Sequence, residues 1–385
     1  MKQRLILAVS AAVALTMTLA GCAANEQNDN QTPPAQAEQT AAEDQPSAIT
    51  QPLADQGLSG RLAGGGASSQ GAAMDAWRAG FQVTNPDVTI DYDPAGSGTG
   101  RENFASGGFA FAGTDAAFSL EDVAAGQFAA CAAGSSIVEL PVYISPIAIG
   151  FNLKDITSLN LDSATIAKIF RGEITTWDDP AIASQNEGVT LPGTAITPVH
   201  RADKSGTTGN FTDYLAQTAG EVWVDGSVEE WPAGLSGEAA DKTSGVHDTI
   251  VATDGAIGYL DASKAGDMGA ISIKVGDQYV AHSPQAAAAA VGKSKIQDGR
   301  SANDVVVEID RTLTDPSTYP LILVSYLSTC ETYADASVGA LVKALVAYII
   351  SPEGQAAAAS QAGSAPITGN ADIEPKVQAA AAVIK

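Results

Sequence analysis

Positive charge is scarce in this chain. Of its 385 residues, 20 are Lys or Arg and 44 are Asp or Glu, giving a formal net charge of −24. So acidic a surface argues against nucleic acid and against anionic lipid headgroups as partners. It also gives an approaching anion no long-range attraction, so any anion site here has to work through local, aimed hydrogen bonds. Histidine is scarce too, and the three present (His200, His247, His282) follow no metal-ligand or triad spacing. No G-x-S-x-G elbow and no G-x-x-x-x-G-K-[ST] loop is present, and Gly98-x-Gly100 lacks the remaining glycine spacing of a dinucleotide fingerprint. A phosphatase or other hydrolase would need a metal cluster or an activated nucleophile, and neither is visible. No catalytic residue, metal or cofactor is therefore expected, with a secreted hydrolase kept as the rival reading. No internal repeat is found.

The amino end reads as an export signal. Met1-Lys2-Gln3-Arg4 leads an apolar run from Leu5 to Ala20, which is short for a membrane span. Leu19-Ala20-Gly21-Cys22 matches the lipobox of bacterial lipoproteins, in which the Cys thiol is acylated and becomes the first residue of the mature chain. Residues 1–21 are then a signal peptide, and Cys22 carries a lipid anchor. An uncleaved anchor helix with an incidental Cys is the alternative. Two or more acyl chains give stable anchoring, which one does not. Residues 22–57 read as a disordered linker, since Ala23 to Gln56 is rich in Asn, Gln, Asp, Glu, Pro, Thr and Ala and holds no aromatic residue. The 34 residues from Ala23 to Gln56 span a coil on the order of 30 Å end to end. The protein is thus expected outside the cell interior, tethered to the outer face of the cytoplasmic membrane. Cys131 and Cys330 are expected to form a disulfide there, with two buried thiols as the alternative.

Residues 58–385 are long enough for two domains with real cores. Val88, Ile90 and Tyr92 alternate with polar residues as in a half-buried strand, while Met74, Trp77 and Phe81 recur at helical spacing. Ile137–Val142, Pro146–Phe151 and Leu321–Leu327 are continuous apolar runs, the mark of strands covered on both faces. Asp162 can cap a helix bearing Ile166, Ile169 and Phe170. Ile196–Val199 reads as a short strand and Thr208–Ala219 as a helix. Val338, Leu341, Leu345 and Ile349 make an apolar stripe on a core helix. Alternating strands and helices imply α/β domains with largely parallel sheets, whose ligands sit where strands end and helices begin.

Four segments share one design, a strand followed by a turn of small and polar residues before a helix start. They are Leu62-Ala63-Gly64-Gly65-Gly66-Ala67-Ser68-Ser69, Gly96-Ser97-Gly98-Thr99-Gly100, Phe111-Ala112-Gly113-Thr114-Asp115, and His200-Arg201-Ala202-Asp203-Lys204-Ser205-Gly206-Thr207-Thr208. Singly, each is an ordinary turn or cap, and Arg201 with Asp203 would be a surface ion pair. Together they suggest an anion site, because helix N-termini offer unpaired N–H groups and partial positive charge. Arg201 adds a fork suited to a tetrahedral oxyanion, and Asp203 could brace it. A carboxylate such as Asp115 can face an oxyanion only with a proton between them. Phosphate near neutral pH still carries that proton and sulfate does not, so Asp115 favours phosphate. A helix cap is the alternative role for Asp115.

These segments resemble the substrate-binding proteins of bacterial phosphate-specific ABC transporters, over nearly all of residues 58–370. The His200–Thr208 run is close to a family hallmark. Ile169-Phe170-Arg171-Gly172-Glu173-Ile174-Thr175-Thr176-Trp177-Asp178-Asp179-Pro180-Ala181-Ile182, Gly255-Ala256-Ile257-Gly258-Tyr259 and Glu353-Gly354-Gln355 fit the same pattern. The resemblance implies an α/β, two-lobed type II periplasmic-binding-protein fold with mixed sheets, two crossover strands and a ligand cleft. Residues 58–145 and 321–385 would form the first lobe and 146–320 the second. It implies phosphate ligands at Ser68, Ser69 (through its N–H only), Ser97, Asp115, Arg201, Ser205, Gly206 and Thr207, with Asp203 supporting Arg201 and Lys204 facing solvent. It further implies capture of inorganic phosphate by a monomer that delivers it to the permease and ATPase subunits of an importer. A receptor for sulfate or another oxyanion remains the rival within this class.

Overall fold

A computed structural model describes residues 57–266 and 268–385. The signal segment, the linker and Cys22 lie outside the described residues.

The chain opens with β1 (Gly60–Gly66), α1 (Gly71–Thr84), β2 (Val88–Asp93), α2 (Ser97–Ala105), β3 (Phe111–Thr114) and α3 (Leu120–Ala125). There follow β4 (Ile137–Phe151), β5 (Ser158–Leu161), α4 (Ser163–Phe170), α5 (Pro180–Ala183), β6 (Thr197–Arg201) and α6 (Gly206–Thr218). Then come β7 (Glu238–Ala240), α7 (Lys242–Ala252), β8 (Ala256–Asp261), β9 (Gly269–Val275), β10 (Gln278–Val280) and α8 (Pro284–Val291). A short hairpin of β11 (Lys295–Ile296) and β12 (Val307–Glu308) precedes β13 (Ile322–Cys330), α9 (Ala336–Ile349), α10 (Pro352–Ala362) and α11 (Glu374–Ala382).

One large sheet runs β2-β1-β3-β13-β4-β8-β6-β7, with β5, β9 and β10 attached beside β4. The outer pairs β1–β2, β1–β3, β6–β7, β6–β8 and β5–β9 are parallel, as strand–helix alternation predicts. The centre differs from the largely parallel sheet expected, because β13 and β4 run antiparallel to each other and to their neighbours β3 and β8. The two apolar runs read as separate strands, Ile137–Val142 and Pro146–Phe151, are one strand of 15 residues buried along its whole length. Its first part pairs with β13 and its last five residues with β8, so β4 passes from one half of the sheet to the other. Just beyond the Pro146–Ile322 pair, Ile147 donates its N–H to the carbonyl of Leu321 at 2.9 Å, extending the ladder with β13.

The motifs between the site segments are architectural. Trp177 donates through Nε1 to the carbonyl of Gly255 at 3.0 Å, tying two of them together. Trp77 does the same to Gly354 at 2.8 Å, fixing α1 on α10. A side chain on Gly354 would place its Cβ 2.1 Å from the carbonyl of Tyr348, which is why glycine stands there. Gln355 spans from α10 to the carbonyl of Val142 on β4 at 3.0 Å. Among the described residues no single helix is long and apolar enough to cross a membrane, and α9 and α10 meet at a bend of 68°. The stripe on α9 is core as expected, Leu345 and Ile349 being fully buried.

A buried charge cluster links the segment before β12 to the first half of the sheet. Glu139 on β4 is fully buried and shares Arg300 with Asp304, at 3.0 and 2.8 Å. Burial, then the charge of Asp304, push the Glu139 carboxyl up to about 7 against the pull of Arg300. Val305 donates its N–H to the carbonyl of Glu139 at 2.9 Å. Residues 300–305 thus pack on the part of β4 that pairs with β13.

Cys131 and Cys330 form the expected disulfide, joining positions 199 residues apart near the outer end of β13. Closing so long a loop restricts the unfolded chain by about 5 kcal/mol in the loop-entropy treatment. The double variant Cys131→Ser/Cys330→Ser should lose stability of that order in denaturant titration under non-reducing conditions. Unchanged stability would contradict this account of the bridge.

Candidate anion-binding site

Chain segments leaving parallel strands at their carboxyl ends converge near the middle of the sheet. After β1 the chain turns through Ala67–Gln70 into α1, and after β2 it enters α2 with Ser97 as first helical residue. After β6 it enters α6, whose cap Ser205 accepts the N–H of Thr208 at 3.2 Å. The helix was expected from Thr208 and begins two residues earlier, because the Ser205 hydroxyl stands in for the missing backbone acceptor. The third segment departs from the design. After Asp115 the chain bends, and α3 starts only at Leu120 with Ser119 as its cap. Asp115 caps no helix, so that alternative falls.

Asp115 lies at the centre and is almost fully buried. Ser69 donates its hydroxyl to both carboxylate oxygens at 2.8 and 2.7 Å, and Thr207 donates to Oδ2 at 3.1 Å. Ser69 was expected to offer only its N–H, so its side chain has a second use, holding the carboxylate. The N–H of Asp115 donates to Ser97 Oγ at 3.1 Å, and its carbonyl accepts from Asn210 Nδ2 at 2.8 Å. Burial raises the Asp115 carboxyl above its ordinary range, opposed by hydrogen bonds from Ser325, Ser69 and Thr207 and by the charge of Arg201. The ionised form is thus held in place yet short of solvation, and a further donor would relieve it.

Arg201 stands at the end of β6 and is also nearly fully buried. Its Nε donates to Asp203 Oδ1 at 2.7 Å and its Nη2 to Asp203 Oδ2, a bidentate pair. Burial alone would raise Asp203, but the Arg201 bond and charge and the N–H of Lys242 hold its carboxyl below the ordinary range. Among the described residues Arg201 Nη1 has no protein acceptor. The Arg201 N–H donates to Tyr259 Oη at 3.3 Å, and that hydroxyl also meets Thr208 Oγ1 at 2.8 Å. Lys204, expected to face solvent, is exposed at its end only. Its carbonyl accepts from the Gly98 N–H at 3.2 Å, its stem lies over Gly98, and its ammonium is 3.7 Å from Glu102.

The sequence reading missed α7. Its Thr243 hydroxyl meets Ser68 Oγ at 2.9 Å and its N–H donates to the same oxygen at 3.1 Å. A signal for it exists, since Asp241-Lys242-Thr243-Ser244-Gly245 follows β7 much as Asp203-Lys204-Ser205-Gly206-Thr207 follows β6. Tyr259 and Asn210 were likewise not assigned to the site. The expected ligands Ser68, Ser69, Ser97, Asp115, Arg201, Ser205, Gly206 and Thr207 all fall in this one cluster. The N–H groups of Ser69, Gly206 and Thr207 take no protein acceptor among the described residues.

A cavity of about 280 Å³ beside Asp115 is lined by Asp213, Glu229, Glu308, Asn210 and Arg311 among others. Arg311 is already committed to Asp213, Asn210 and two carbonyls. That leaves the cavity acidic and unsuited to an anion. The helix N-termini and Arg201 define the anion side.

Residues 34–353 match the model of the PBP superfamily domain. Phosphate-binding protein PstS2 of Mycobacterium bovis is 35% identical over 295 residues, covering 74% of this chain and 78% of that protein. Phosphate-binding protein PstS of Xylella fastidiosa is 31% identical over 65% of this chain and 64% of that protein. Among solved structures, a phosphate-binding protein of Stenotrophomonas maltophilia superposes with a TM-score of 0.61 at 17% identity, covering 84% of this chain and 94% of that one. These relations, with the crossing strand β4 and strand-end helix N-termini around Asp115 and Arg201, make the chain a member of the PBP superfamily and, within it, of the PstS phosphate-binding proteins.

Proposed function

We propose that this protein binds inorganic phosphate between its two lobes, outside the cytoplasmic membrane, and hands it to an ABC-type importer without chemical change. The observation that carries the reading is the buried Asp115 carboxylate near a buried Arg201 whose Nη1 has no acceptor among the described residues. A cation and a desolvated carboxylate at one strand-end site suit an oxyanion that still bears a proton. The ligand would accept from Arg201 Nη1, from the N–H groups of Ser69, Gly206 and Thr207, and from the hydroxyls of Ser68, Ser97 and Ser205. It would donate its own O–H to Asp115, which relieves the cost of burying that charge. Sulfate, with no proton to give, would leave the carboxylate facing it unpaired.

In this proposal the lobes divide at 145/146 and 320/321, with residues 300–305 riding on the first. Ser68, Ser69, Ser97 and Asp115 come from the first lobe, and Arg201 and Ser205–Thr207 from the second. Cys22 would carry the acyl anchor and residues 22–57 the reach to the membrane partner. The protein acts as a monomer.

Calorimetric titration at neutral pH should give tight phosphate binding and sulfate binding weaker by about 10⁴-fold, the lower end of the discrimination shown by sites built to pair a ligand O–H. Phosphate binding should weaken in strongly alkaline solution as the ligand loses its last proton. Comparable affinity for both anions would overturn the reading.

Gly206 supplies a sharper test of the geometry. A Cβ there would lie 2.7 Å from both Asp115 Cβ and Ser97 Oγ, so the second lobe could not seat α6 against the first. Alanine is itself favourable in a helix, so the fold should survive. Gly206→Ala should weaken phosphate binding at least about tenfold, equivalent to 1.4 kcal/mol. Wild-type affinity in that variant would show that the lobes do not meet there around the ligand.

A further inference from the structure

A largely buried ion pair joins the two proposed lobes at the acidic cavity that flanks Asp115, and the phosphate contacts proposed above do not use it. Arg101 lies on α2, and its Nη2 donates to Glu229 at 2.5 Å, on the loop that follows α6. Both side chains are largely withdrawn from water, at 12% and 19% exposure. Each residue also holds one of the two turns that would close on the ligand. Arg101 Nη1 donates to Thr114 Oγ1 and to the carbonyl of Ala116, both at 2.8 Å, and so brackets Asp115. The carbonyl of Glu229 accepts the N–H of Ser205 at 2.9 Å, and so fixes the cap of α6.

We propose that Arg101 and Glu229 form a latch that holds the closed lobes together and sets how fast bound phosphate leaves. The inference rests on the proposed phosphate function. The Asp115 turn belongs to the first lobe and the Ser205 turn to the second, so opening the cleft has to separate Arg101 from Glu229. A charge pair that is desolvated on closure acts on dissociation, because its attraction is lost only when the partners part. Long-range steering of phosphate is a different matter, set by the net field of an acidic protein, and the latch leaves it unchanged. Arg101 and Glu229 are therefore positioning residues that touch no ligand.

Glu229 is the partner to change, because its structural role in holding Ser205 runs through the backbone carbonyl and survives substitution. Phosphate release should be followed by stopped-flow mixing with a phosphate-sensing reporter, for wild type, Glu229→Gln and Glu229→Ala. Removing one partner of a buried charge pair speeds dissociation, and the expected rise is about tenfold for Ala, with Gln between Ala and wild type. The association rate should stay within about twofold across the three, and the melting temperature of ligand-free protein should not change. A purely structural role would lower that melting temperature and slow association as well. Wild-type release rates in both variants, with wild type binding phosphate, would overturn the latch alone. Failure of wild type itself to take up phosphate would overturn the functional reading on which the latch rests.

Discussion

The burial of one carboxylate organises the centre of this molecule. Asp115 is withdrawn from water, and hydroxyl and amide donors meet both its carboxylate and its carbonyl. Ser69 and Thr207 donate to its oxygens from the turns after β1 and β6, and Asn210 donates to its carbonyl. An ion deprived of water is costly unless every lone pair is met. The fold meets most of that demand with hydroxyls, which can turn from the carboxylate to a ligand oxygen at little cost because a hydroxyl is donor and acceptor at once. The remaining demand is for a donor that comes and goes. A protonated oxyanion is such a donor, and Arg201 supplies the opposite charge its other oxygens require.

The surrounding architecture keeps these two charges apart yet close. Arg201 is committed through two nitrogens to Asp203, so it cannot swing across to neutralise Asp115 directly. Asp203 is held in turn by the N–H of Lys242 at the start of α7. Tyr259 stacks on Phe211 with ring centroids 4.2 Å apart and receives the Arg201 N–H, tying strand, helix and cation into one rigid unit. On the other side the disulfide and the long paired strands β4 and β13 fix the Asp115 half.

Much of this was legible in the residues. Continuous apolar runs marked β4 and β13, and glycine- and serine-rich turns marked where strands hand over to helices. The residues expected to bind a ligand lie together because those turns occupy equivalent places on parallel strands. What stayed hidden was hidden for physical reasons. The antiparallel centre could not be read because a strand buried on both faces looks the same whichever way it runs. The runs Ile137–Val142 and Pro146–Phe151 read as separate strands, and the pairing with β13 continues across the gap between them. Asp115 looked like a helix cap because Ser119, the true cap, comes four residues later. Arg101 and Glu229 are 128 residues apart, and nothing in either local sequence points to the other. The second use of Ser69 was invisible because its partner lies 46 residues away.

The central claim is that Asp115 accepts a proton from the ligand and thereby selects among oxyanions. Replacing it by Asn keeps the shape and removes the fixed negative charge, which in a desolvated site stands for several kcal/mol against an anion without a proton. The most direct measurement is the ratio of phosphate to sulfate affinity for wild type and Asp115→Asn, by calorimetry at one pH and one ionic strength. The account predicts that the ratio falls steeply in the variant, mainly because sulfate binding strengthens. An identical ratio in both proteins would contradict it.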